Sequence, residues 1–254
     1  MSQQNNNFII KVISRISSNR REMIEKNLKG KNIPFSFFNA ADKSNITRED
    51  KKFNYNNLIL ELNTNMPFPD AFSNRKWMKI GEVGCFFSHY ALWVELVNSG
   101  KDAYFILEDD ADPMFRGEDI KKLLNENSLN GVDLILCQSI SPNFPRGKKL
   151  FNNLSEKLDL RLQTKTFDWE TTEGTTGYIV TSSGAKKLIK LVETYQMFNP
   201  IDNFIGRCIT TGLDTFLCPR YLQVGLNENV QTEIHYDISE ENVHYIENIK
   251  FMVG

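Results

Sequence analysis

The stretch Tyr-Phe-Ile-Leu-Glu-Asp-Asp-Ala-Asp, residues 104–112, decides the fold, because an apolar segment ends there in a group of carboxylates. Residues 104–107 are aromatic or aliphatic, which is typical of a buried strand. Four carboxylates follow at once, from Glu108, Asp109, Asp110 and Asp112. Like charges this close repel one another, so a fold that keeps them together needs a positive partner. The pattern predicts a central strand of an α/β sheet whose carboxyl end carries the functional site.

These carboxylates have two interpretations. Oxygen ligands suit Mg²⁺ or Mn²⁺, and such ions commonly link carboxylates to the phosphates of a substrate. Alternatively, the acidic residues form a solvated turn before the next helix, with Pro113 marking the break. The spacing of the residues is compatible with both.

Composition narrows the class of protein. A chain of 254 residues with 41% hydrophobic and 24% charged residues predicts one globular domain over residues 1–254. The net charge of −2 argues against a nucleic-acid-binding protein that relies on positive charge. The polar start MSQQNNN lacks the apolar core of a signal peptide, so a cytoplasmic location is expected. Three of the four cysteines, Cys85, Cys137, Cys208 and Cys218, sit among apolar neighbours, so reduced, buried thiols are expected, which fits that location.

Strand-like and helix-like segments alternate along the chain, which predicts an α/β sandwich with a mostly parallel sheet and helices on both faces. Strands are predicted at 8–13, 33–38, 104–107, 132–137, 178–181 and 215–218. Helices are predicted at 19–30, with Asn19 as N-cap and Glu22 as its capping-box partner, and at 86–98, closed by Gly100. Further helices are predicted at 120–124, 182–192 and 202–211. Residues 43–76 form a long excursion with a short helix near 55–62, and residues 226–254 form a tail with no readable pattern.

A glycine-rich segment, Gly81–Trp93 (GEVGCFFSHYALW), predicts a tight turn that leads into a helix. Ser88 and His89 would then lie in the first helical turn, where free backbone N–H groups can bind an anion or a substrate hydroxyl. The alternative is that Ser88 caps the helix and His89 is a hydrogen-bonded core residue.

Three later residues are candidates for chemistry, each with a structural alternative. Glu173 precedes a glycine-rich turn that contains Gly177, and such a turn lets the backbone approach a sugar or phosphate. The alternative is that this segment is only a hairpin-like turn. Asp202 is either the N-cap of a helix or a base that takes a proton from an acceptor hydroxyl. His235 is either a metal ligand or an exposed histidine.

Six segments together resemble the bacterial lipooligosaccharide and lipopolysaccharide glycosyltransferases of family 25, whose members include β-1,4-galactosyltransferases. Their joint occurrence is specific, above all GC-x-x-SH followed by LEDD. The matching segments are Val12–Arg21 (VISRISSNRR), Ile33–Asp42 (IPFSFFNAAD), Gly81–His89 (GEVGCFFSH), Ile106–Ala111 (ILEDDA), Thr175–Leu188 (TTGYIVTSSGAKKL) and Pro200–Gly206 (PIDNFIG).

The resemblance implies a GT-A-like nucleotide-sugar-binding fold and inverting transfer of a hexose from a UDP-sugar with Mn²⁺ or Mg²⁺. The metal is expected at Asp110, with Asp112 and His235 as further ligands. Asp202 is expected to be the base, with Glu173 as the alternative. Candidate donor-binding residues, from their positions and the resemblance, are Arg20, Ala40, Ser88, His89, Glu108, Asp109 and Gly177.

The resemblance points to galactose from UDP-galactose as the transferred sugar and to a lipooligosaccharide or lipopolysaccharide oligosaccharide as the acceptor. Transfer of glucose or N-acetylglucosamine is the alternative within the enzyme class. A catalytically silent module that binds sugar nucleotides or glycans is the alternative outside it. The enzyme is expected at the cytoplasmic face of the inner membrane of a Gram-negative bacterium. The basic loop with Arg146, Lys148 and Lys149 would make peripheral contact there, or it is merely solvated.

Overall fold

The structure, a computed structural model, describes residues 7–63, 78–126, 129–138, 157, 174–197 and 199–227. No helix in these ranges has the length and apolar composition to cross a bilayer. The helices are α1 (Arg20–Gly30), α2 (Ile80–Ser99), α3 (Gly117–Glu126), α4 (Ser182–Tyr195) and α5 (Ile201–Cys208). The strands are β1 (Phe8–Ser14), β2 (Ser36–Asn39), β3 (Thr47–Glu49), β4 (Lys52–Tyr55), β5 (Leu58–Glu61), β6 (Ala103–Glu108), β7 (Ala111–Pro113), β8 (Leu134–Leu136), β9 (Gly177–Thr181), β10 (Thr215–Leu217) and β11 (Val224–Leu226).

The central sheet has six strands in the order β10-β8-β9-β6-β1-β2. Strand β1 runs parallel to β2 and β6, and β8 runs parallel to β10, whereas β9 is antiparallel to both of its neighbours. The α/β class is therefore confirmed, and the predicted mostly parallel sheet is corrected to a mixed one. Every residue of β9 is buried, and a strand buried on both faces has the same sequence pattern in either direction. Its orientation could not be predicted from periodicity.

The core is built on strand β6 and helix α2. All apolar residues of β6 are buried, as the opening stretch predicts. Helix α2 packs against α4 and α5 and contributes Phe86, Phe87 and Trp93, none of which is exposed to solvent. Burying one such side chain stabilises the fold by roughly 1.5–3 kcal/mol. These two elements fix the position of the residues that follow β6.

Helix α2 begins at Ile80, earlier than the predicted start at residue 86. The side chain of Glu82 accepts the backbone N–H of Lys79 at 2.7 Å and so starts the helix before the glycines. Gly84 then lies inside the helix, where a Cβ atom would come within 2.6 Å of the Ala41 carbonyl oxygen. This close packing explains a glycine at a position where it weakens a helix by about 1 kcal/mol. The helix ends at Gly100 with φ 70°, as predicted.

The excursion at residues 43–76 contains strands β3, β4 and β5, which form an antiparallel sheet of three strands. The predicted short helix near residues 55–62 is wrong, since β5 occupies Leu58–Glu61. Asn56 and Asn57 both have positive φ, as a two-residue hairpin turn requires. Asparagine tolerates that conformation, so the Asn-Asn pair between apolar residues was the signal for a hairpin. Residues 64–76 of the excursion and residues 228–254 of the tail lie outside the described ranges.

Helix α1 begins near its predicted start but with a different cap. The predicted pair of Asn19 as N-cap and Glu22 as its partner does not form a capping box, because Asn19 has a helical backbone and its side chain makes no capping bond. The Ser18 hydroxyl instead accepts the N–H of Arg20 at 3.3 Å. Serine caps a helix as well as asparagine does, so the sequence offers two adjacent candidates. Arg20, the first residue of the helix, is buried.

Candidate active site

The carboxylates of the opening stretch lie at the carboxyl-terminal edge of the central sheet. Strands β1 and β6 are parallel, so Ser14 and Glu108 end at the same edge. Beyond this edge, β7 pairs antiparallel with β11, and the N–H of Asn227 donates to the Asp110 carbonyl oxygen at 2.9 Å. The chain therefore returns to this edge near its described end. Ligands of open α/β sheets bind at this edge, which makes it the candidate active site.

Asp110 is a buried acidic residue of the site whose hydrogen bonding is incomplete. Its side chain is 11% exposed, its Oδ1 atom has no hydrogen-bond partner within the described ranges, and its Oδ2 atom is 3.9 Å from Arg20 Nη1. Burial, followed by the negative charge of Glu108, raises the pKa of Asp110 to about 7, although Arg20 opposes this shift. A buried carboxylate oxygen without a partner is unfavourable. A bound cation would supply what this oxygen lacks, so the residues present fit a metal ion.

The Asp109 carboxylate connects strand β1 to helix α1. Its Oδ2 atom accepts the Ser14 hydroxyl at 2.8 Å, and its Oδ1 atom accepts Arg20 Nη1 at 3.3 Å. Arg20 is 8% exposed, so its charge is held beside Asp109 and Asp110 and not in solvent. Arg20 thus provides the positive partner that four adjacent carboxylates require.

Glu108 ends a chain of hydrogen bonds that begins deep in the core. Trp93 Nε1 donates to the Tyr178 hydroxyl at 2.9 Å, and that hydroxyl lies 2.9 Å from His89 Nδ1. His89 Nε2 is 3.2 Å from Glu108 Oε1, which also accepts the Thr175 hydroxyl. Burial alone would raise the pKa of Glu108, but the hydrogen bond and charge of His89 lower it below its usual value overall. Glu108 is therefore an oriented carboxylate at neutral pH.

The predicted place of Ser88 and His89 in the first turn of a helix is wrong, because α2 begins at Ile80. Both side chains are buried. The Ser88 hydroxyl donates to the Gly84 carbonyl oxygen at 2.8 Å and accepts the Ala41 N–H at 2.9 Å. Ser88 therefore holds α2 to the turn after β2, while His89 acts on the site through Glu108.

Two further candidate donor-binding residues have structural partners. The N–H of Ala40 donates to the Ser14 carbonyl oxygen at 3.0 Å, which keeps the end of β2 beside the end of β1. At Gly177, a Cβ atom would come within 2.7 Å of Val224 Cγ2, so glycine permits close packing of β9 against β11. A contact of Gly177 with the donor stays a prediction.

Asp202 lies in the first turn of α5, after the N-cap residue Pro200. The alternative that Asp202 is itself the N-cap is therefore wrong. Its Oδ1 atom accepts the N–H of Asn203 at 2.8 Å. Burial raises the pKa of the Cys85 thiol well above its usual value, and the charges of Glu108, Asp202, Asp110 and Glu82 add to this effect. Asp202 thus belongs to the same negative field as the carboxylates after β6.

Asp112 has partners on helix α1. Its Oδ1 atom accepts Asn27 Nδ2 at 2.9 Å and Lys31 Nζ at 3.3 Å, and its side chain is 47% exposed. These bonds hold β7 against α1 and set Asp112 apart from Asp110, whose Oδ1 has no partner within the described ranges. Glu173, His235 and the basic loop with Arg146, Lys148 and Lys149 lie outside the described residues.

The structure adds residues that sequence reasoning did not select. They support or surround the carboxylates and are Ser14, Glu82, Cys85, Trp93, Thr175 and Tyr178. A signal existed for Cys85, because it precedes His89 by four residues and so shares one helix face with it. Nothing in the local pattern marked Trp93 or Tyr178, which read as ordinary core aromatics.

Comparison with known proteins identifies the family of the chain. The model of glycosyltransferase family 25 (LPS biosynthesis protein) matches residues 4–205. A “Putative glycosyltransferase” of Haemophilus influenzae is 29% identical over 200 residues, which are 78% of this chain and 62% of the relative. The “Lipooligosaccharide biosynthesis protein lic2B” of Haemophilus influenzae is 33% identical over 122 residues, covering 48% of this chain and 38% of the relative. “Procollagen galactosyltransferase 1” of Danio rerio is 25% identical over 199 residues, covering 78% of this chain and 30% of the relative. The chain thus spans less than two thirds of the length of each.

Proposed function

The chain belongs to glycosyltransferase family 25, and from this premise we propose that it transfers a hexose from a UDP-sugar to an oligosaccharide acceptor. The observation that carries the proposal is the buried Asp110 oxygen without a partner, next to Glu108 and Asp109 at the carboxyl-terminal edge of the sheet. A site of this kind fits a cation bound together with a pyrophosphate. A GT-A-like nucleotide-sugar fold, with helices on both faces of the sheet, is part of the proposal.

The proposed donor is UDP-galactose, and the proposed acceptor is a lipooligosaccharide or lipopolysaccharide oligosaccharide. Two relatives support these choices, one named for lipooligosaccharide biosynthesis and one for galactosyl transfer. UDP-glucose and UDP-N-acetylglucosamine are the alternative donors. The reaction would take place at the cytoplasmic face of the inner membrane, where UDP-sugars meet growing lipid-linked acceptors.

In the proposed mechanism, the residues of the sheet edge hold the donor and prepare the leaving group. Asp110 would hold Mn²⁺ or Mg²⁺, which when bound neutralises the charge that develops on the departing UDP. Glu108 and Asp109 would orient the nucleotide or the shell around the ion, since both are fixed by hydrogen bonds. Arg20 would brace this arrangement, because its guanidinium is buried against Asp109.

The acceptor hydroxyl needs a base that faces the anomeric carbon from the side opposite the leaving group. We propose Asp202 for this role, because it lies on a late helix and belongs to the negative field around Cys85. The hydroxyl proton would move to the Asp202 carboxylate as the hydroxyl oxygen attacks the anomeric carbon. Glu173 is the alternative base.

A donor screen that measures released UDP tests the proposed function. Purified protein is incubated with an oligosaccharide acceptor, Mn²⁺ and each of the three UDP-sugars in turn. Acceptor-dependent release from UDP-galactose is expected to exceed release from the other two. Release from another sugar would change the donor, and binding of UDP-sugars without any release would favour a silent binding module.

The assignment of the base has its own test. Asp202→Asn is expected to lower kcat by about 10²–10⁴-fold, because a positioned base contributes that much. Donor KM is expected to stay nearly unchanged, since Asp202 is proposed to act on the acceptor. Glu173→Gln is the matched variant and should cost much less in kcat. The reverse ranking would exchange the two roles.

A further inference from the structure

Three side chains of different chemistry converge beside the carboxylates. Cys85 and His89 lie on one face of α2, four residues apart, and Glu108 faces them from the end of β6. One ligand atom of each, a thiol sulfur, an imidazole nitrogen and a carboxylate oxygen, lies within 4.8 Å of the other two. No other group of three potential ligands of this kind occurs within the described ranges. The role proposed above for the site uses Glu108 but gives no task to Cys85.

We propose that Cys85, His89 and Glu108 bind one divalent cation of the zinc class. Sulfur, nitrogen and oxygen together suit Zn²⁺ or Co²⁺, whereas Mg²⁺ and Mn²⁺ prefer oxygen ligands of the kind that Asp110 offers. The site therefore selects a different ion from the one expected at Asp110. The inference does not depend on sugar transfer, because it rests only on these three side chains and their neighbours.

The distances come close to those of a three-ligand site. In a tetrahedral zinc site, bonds of about 2.0–2.3 Å place ligand atoms about 3.3–3.6 Å apart. His89 Nε2 and Glu108 Oε1 are already 3.2 Å apart, so both can reach one ion with little movement. The Cys85 sulfur lies within 4.8 Å of a ring nitrogen of His89 and a carboxylate oxygen of Glu108, and a change of side-chain rotamer can bring it closer. His89 is fully buried, whereas Cys85 is half-buried and the Glu108 side chain is 24% exposed, so an ion would enter from the side of Cys85 and Glu108.

The charge around the thiol favours a cation. The negative charges of Glu108, Asp202, Asp110 and Glu82 all act on the Cys85 thiol. The same carboxylates attract a positive ion. On binding, the thiol proton leaves to solvent and the thiolate bonds to the ion, so affinity rises with pH.

His89 has the outer partner that a metal-binding histidine needs. Its Nε2 atom lies 3.2 Å from Glu108 Oε1. A neutral ring with the ion at Nε2 would hold its single proton on Nδ1, from which it donates to the Tyr178 hydroxyl oxygen 2.9 Å away. Trp93 Nε1 holds this hydroxyl in place. A hydrogen bond from the second ring nitrogen orients most histidine ligands in metal sites.

Cobalt provides a direct test, because a thiolate bound to Co²⁺ absorbs in the near ultraviolet. The full chain is stripped of metal with a chelator, desalted and titrated with Co²⁺ at pH 8. The wild-type protein is expected to develop the thiolate-to-cobalt band, saturating at one ion per chain. Zn²⁺ should remove the band and Mg²⁺ at the same concentration should not. A folded wild-type protein that shows no band at saturating Co²⁺ would overturn the proposal.

Variants assign the band to its ligands. Cys85→Ser should abolish it, whereas Cys208→Ala, which removes a buried thiol on α5, should retain it. Glu108→Gln should weaken Co²⁺ binding by about tenfold or more, since it replaces a charged ligand. Circular dichroism establishes that each variant is folded. Persistence of the band in folded Cys85→Ser, or its loss in Cys208→Ala, would place the ion elsewhere and refute the site.

Discussion

Asp110 and Asp133 are both buried aspartates next to strands of the central sheet, but they lie at opposite edges. Asp133 precedes β8 at the amino-terminal edge, and its carboxylate accepts bonds from Ser183, Lys187 and the N–H of Asp214. Asp110 follows β6 at the carboxyl-terminal edge and has one oxygen without a partner within the described ranges. A buried carboxylate with a full set of donors stabilises the fold, whereas one without them is available to a ligand.

The positively charged partners of Asp133 and Asp110 also differ. Lys187 bonds directly to Asp133 while its side chain stays 44% exposed, and the Asp133 carboxylate raises the pKa of this lysine. Arg20 is buried but stands 3.9 Å from Asp110, because its closer bond goes to Asp109. The amino-terminal edge is thus internally paired, and the carboxyl-terminal edge retains negative charge that a donor and its cation can use.

The largest expected effect is on catalysis at Asp110. Asp110→Asn should lower the rate of transfer by about 10³-fold, equivalent to about 4 kcal/mol, because the proposed ligand of the cation is lost. The free energy of unfolding without metal at pH 8 should rise by about 1–2 kcal/mol, since a buried charge is removed. Kinetics and urea denaturation measure the two effects.

Asp112→Asn is the control for this variant. Its carboxylate is 47% exposed and paired with Lys31, so the loss in unfolding free energy should stay below about 1 kcal/mol. If it lowers the rate as much as Asp110→Asn does, Asp112 also holds the ion and the difference between the two residues disappears.

At the amino-terminal edge we expect a substitution to reduce stability and to leave activity unchanged. Asp133→Asn should reduce the free energy of unfolding by about 2–3 kcal/mol, because the amide cannot satisfy the donors of Ser183, Lys187 and Asp214 and removes the shorter of the two ion pairs of Lys187. The kcat of the folded fraction should be unchanged. Lys187→Met is the matched variant and should cost less than about 1 kcal/mol, since this lysine is partly exposed. A loss of kcat in folded Asp133→Asn would show that the two edges are not independent.

The pH dependence of stability should separate the two aspartates further. An unfolded aspartate has a pKa of about 4, whereas that of folded Asp110 is raised to about 7. Between these values the folded protein binds the extra proton, so its stability is highest on the acid side and falls as pH rises through 7. In chelator, unfolding free energy should decrease by about 1–2 kcal/mol from pH 5 to pH 8. If the unfolding free energy of Asp110→Asn has the same dependence on pH as that of the wild-type protein, another group is responsible for it.

The smallest effect is expected from Arg20→Lys. Lysine keeps the positive charge beside Asp109 but loses the planar fork of guanidinium donors. Donor KM should rise by about tenfold or less, equivalent to about 1.4 kcal/mol at most. Unchanged donor KM and kcat would mean that Arg20 serves the fold alone, as Lys187 does at the other edge.

Much of the fold could be predicted from local sequence. The strand before Glu108, the helix that ends at Gly100 and the α/β class all follow from apolar periodicity and glycine placement. Errors arose where two local signals competed. Gly84 suggested a turn, but it lies in a helix because the Ala41 carbonyl oxygen packs against it. The segment near residues 55–62 suggested a helix, but its Asn-Asn pair forms a hairpin turn.

The sequence by itself determined where the candidate site lies, because four carboxylates after an apolar strand are a local feature that no packing alters. Only the tertiary structure decided the different surroundings of the four. Arg20 turns to Asp109, Lys31 binds Asp112 and His89 orients Glu108, so of the four only Asp110 has a buried oxygen without a hydrogen-bond partner within the described ranges. These partners come from α1 and α2, which are distant along the chain. Hydrogen bonding and burial depend on such distant neighbours, and therefore the spacing of residues along the chain could not distinguish the four carboxylates.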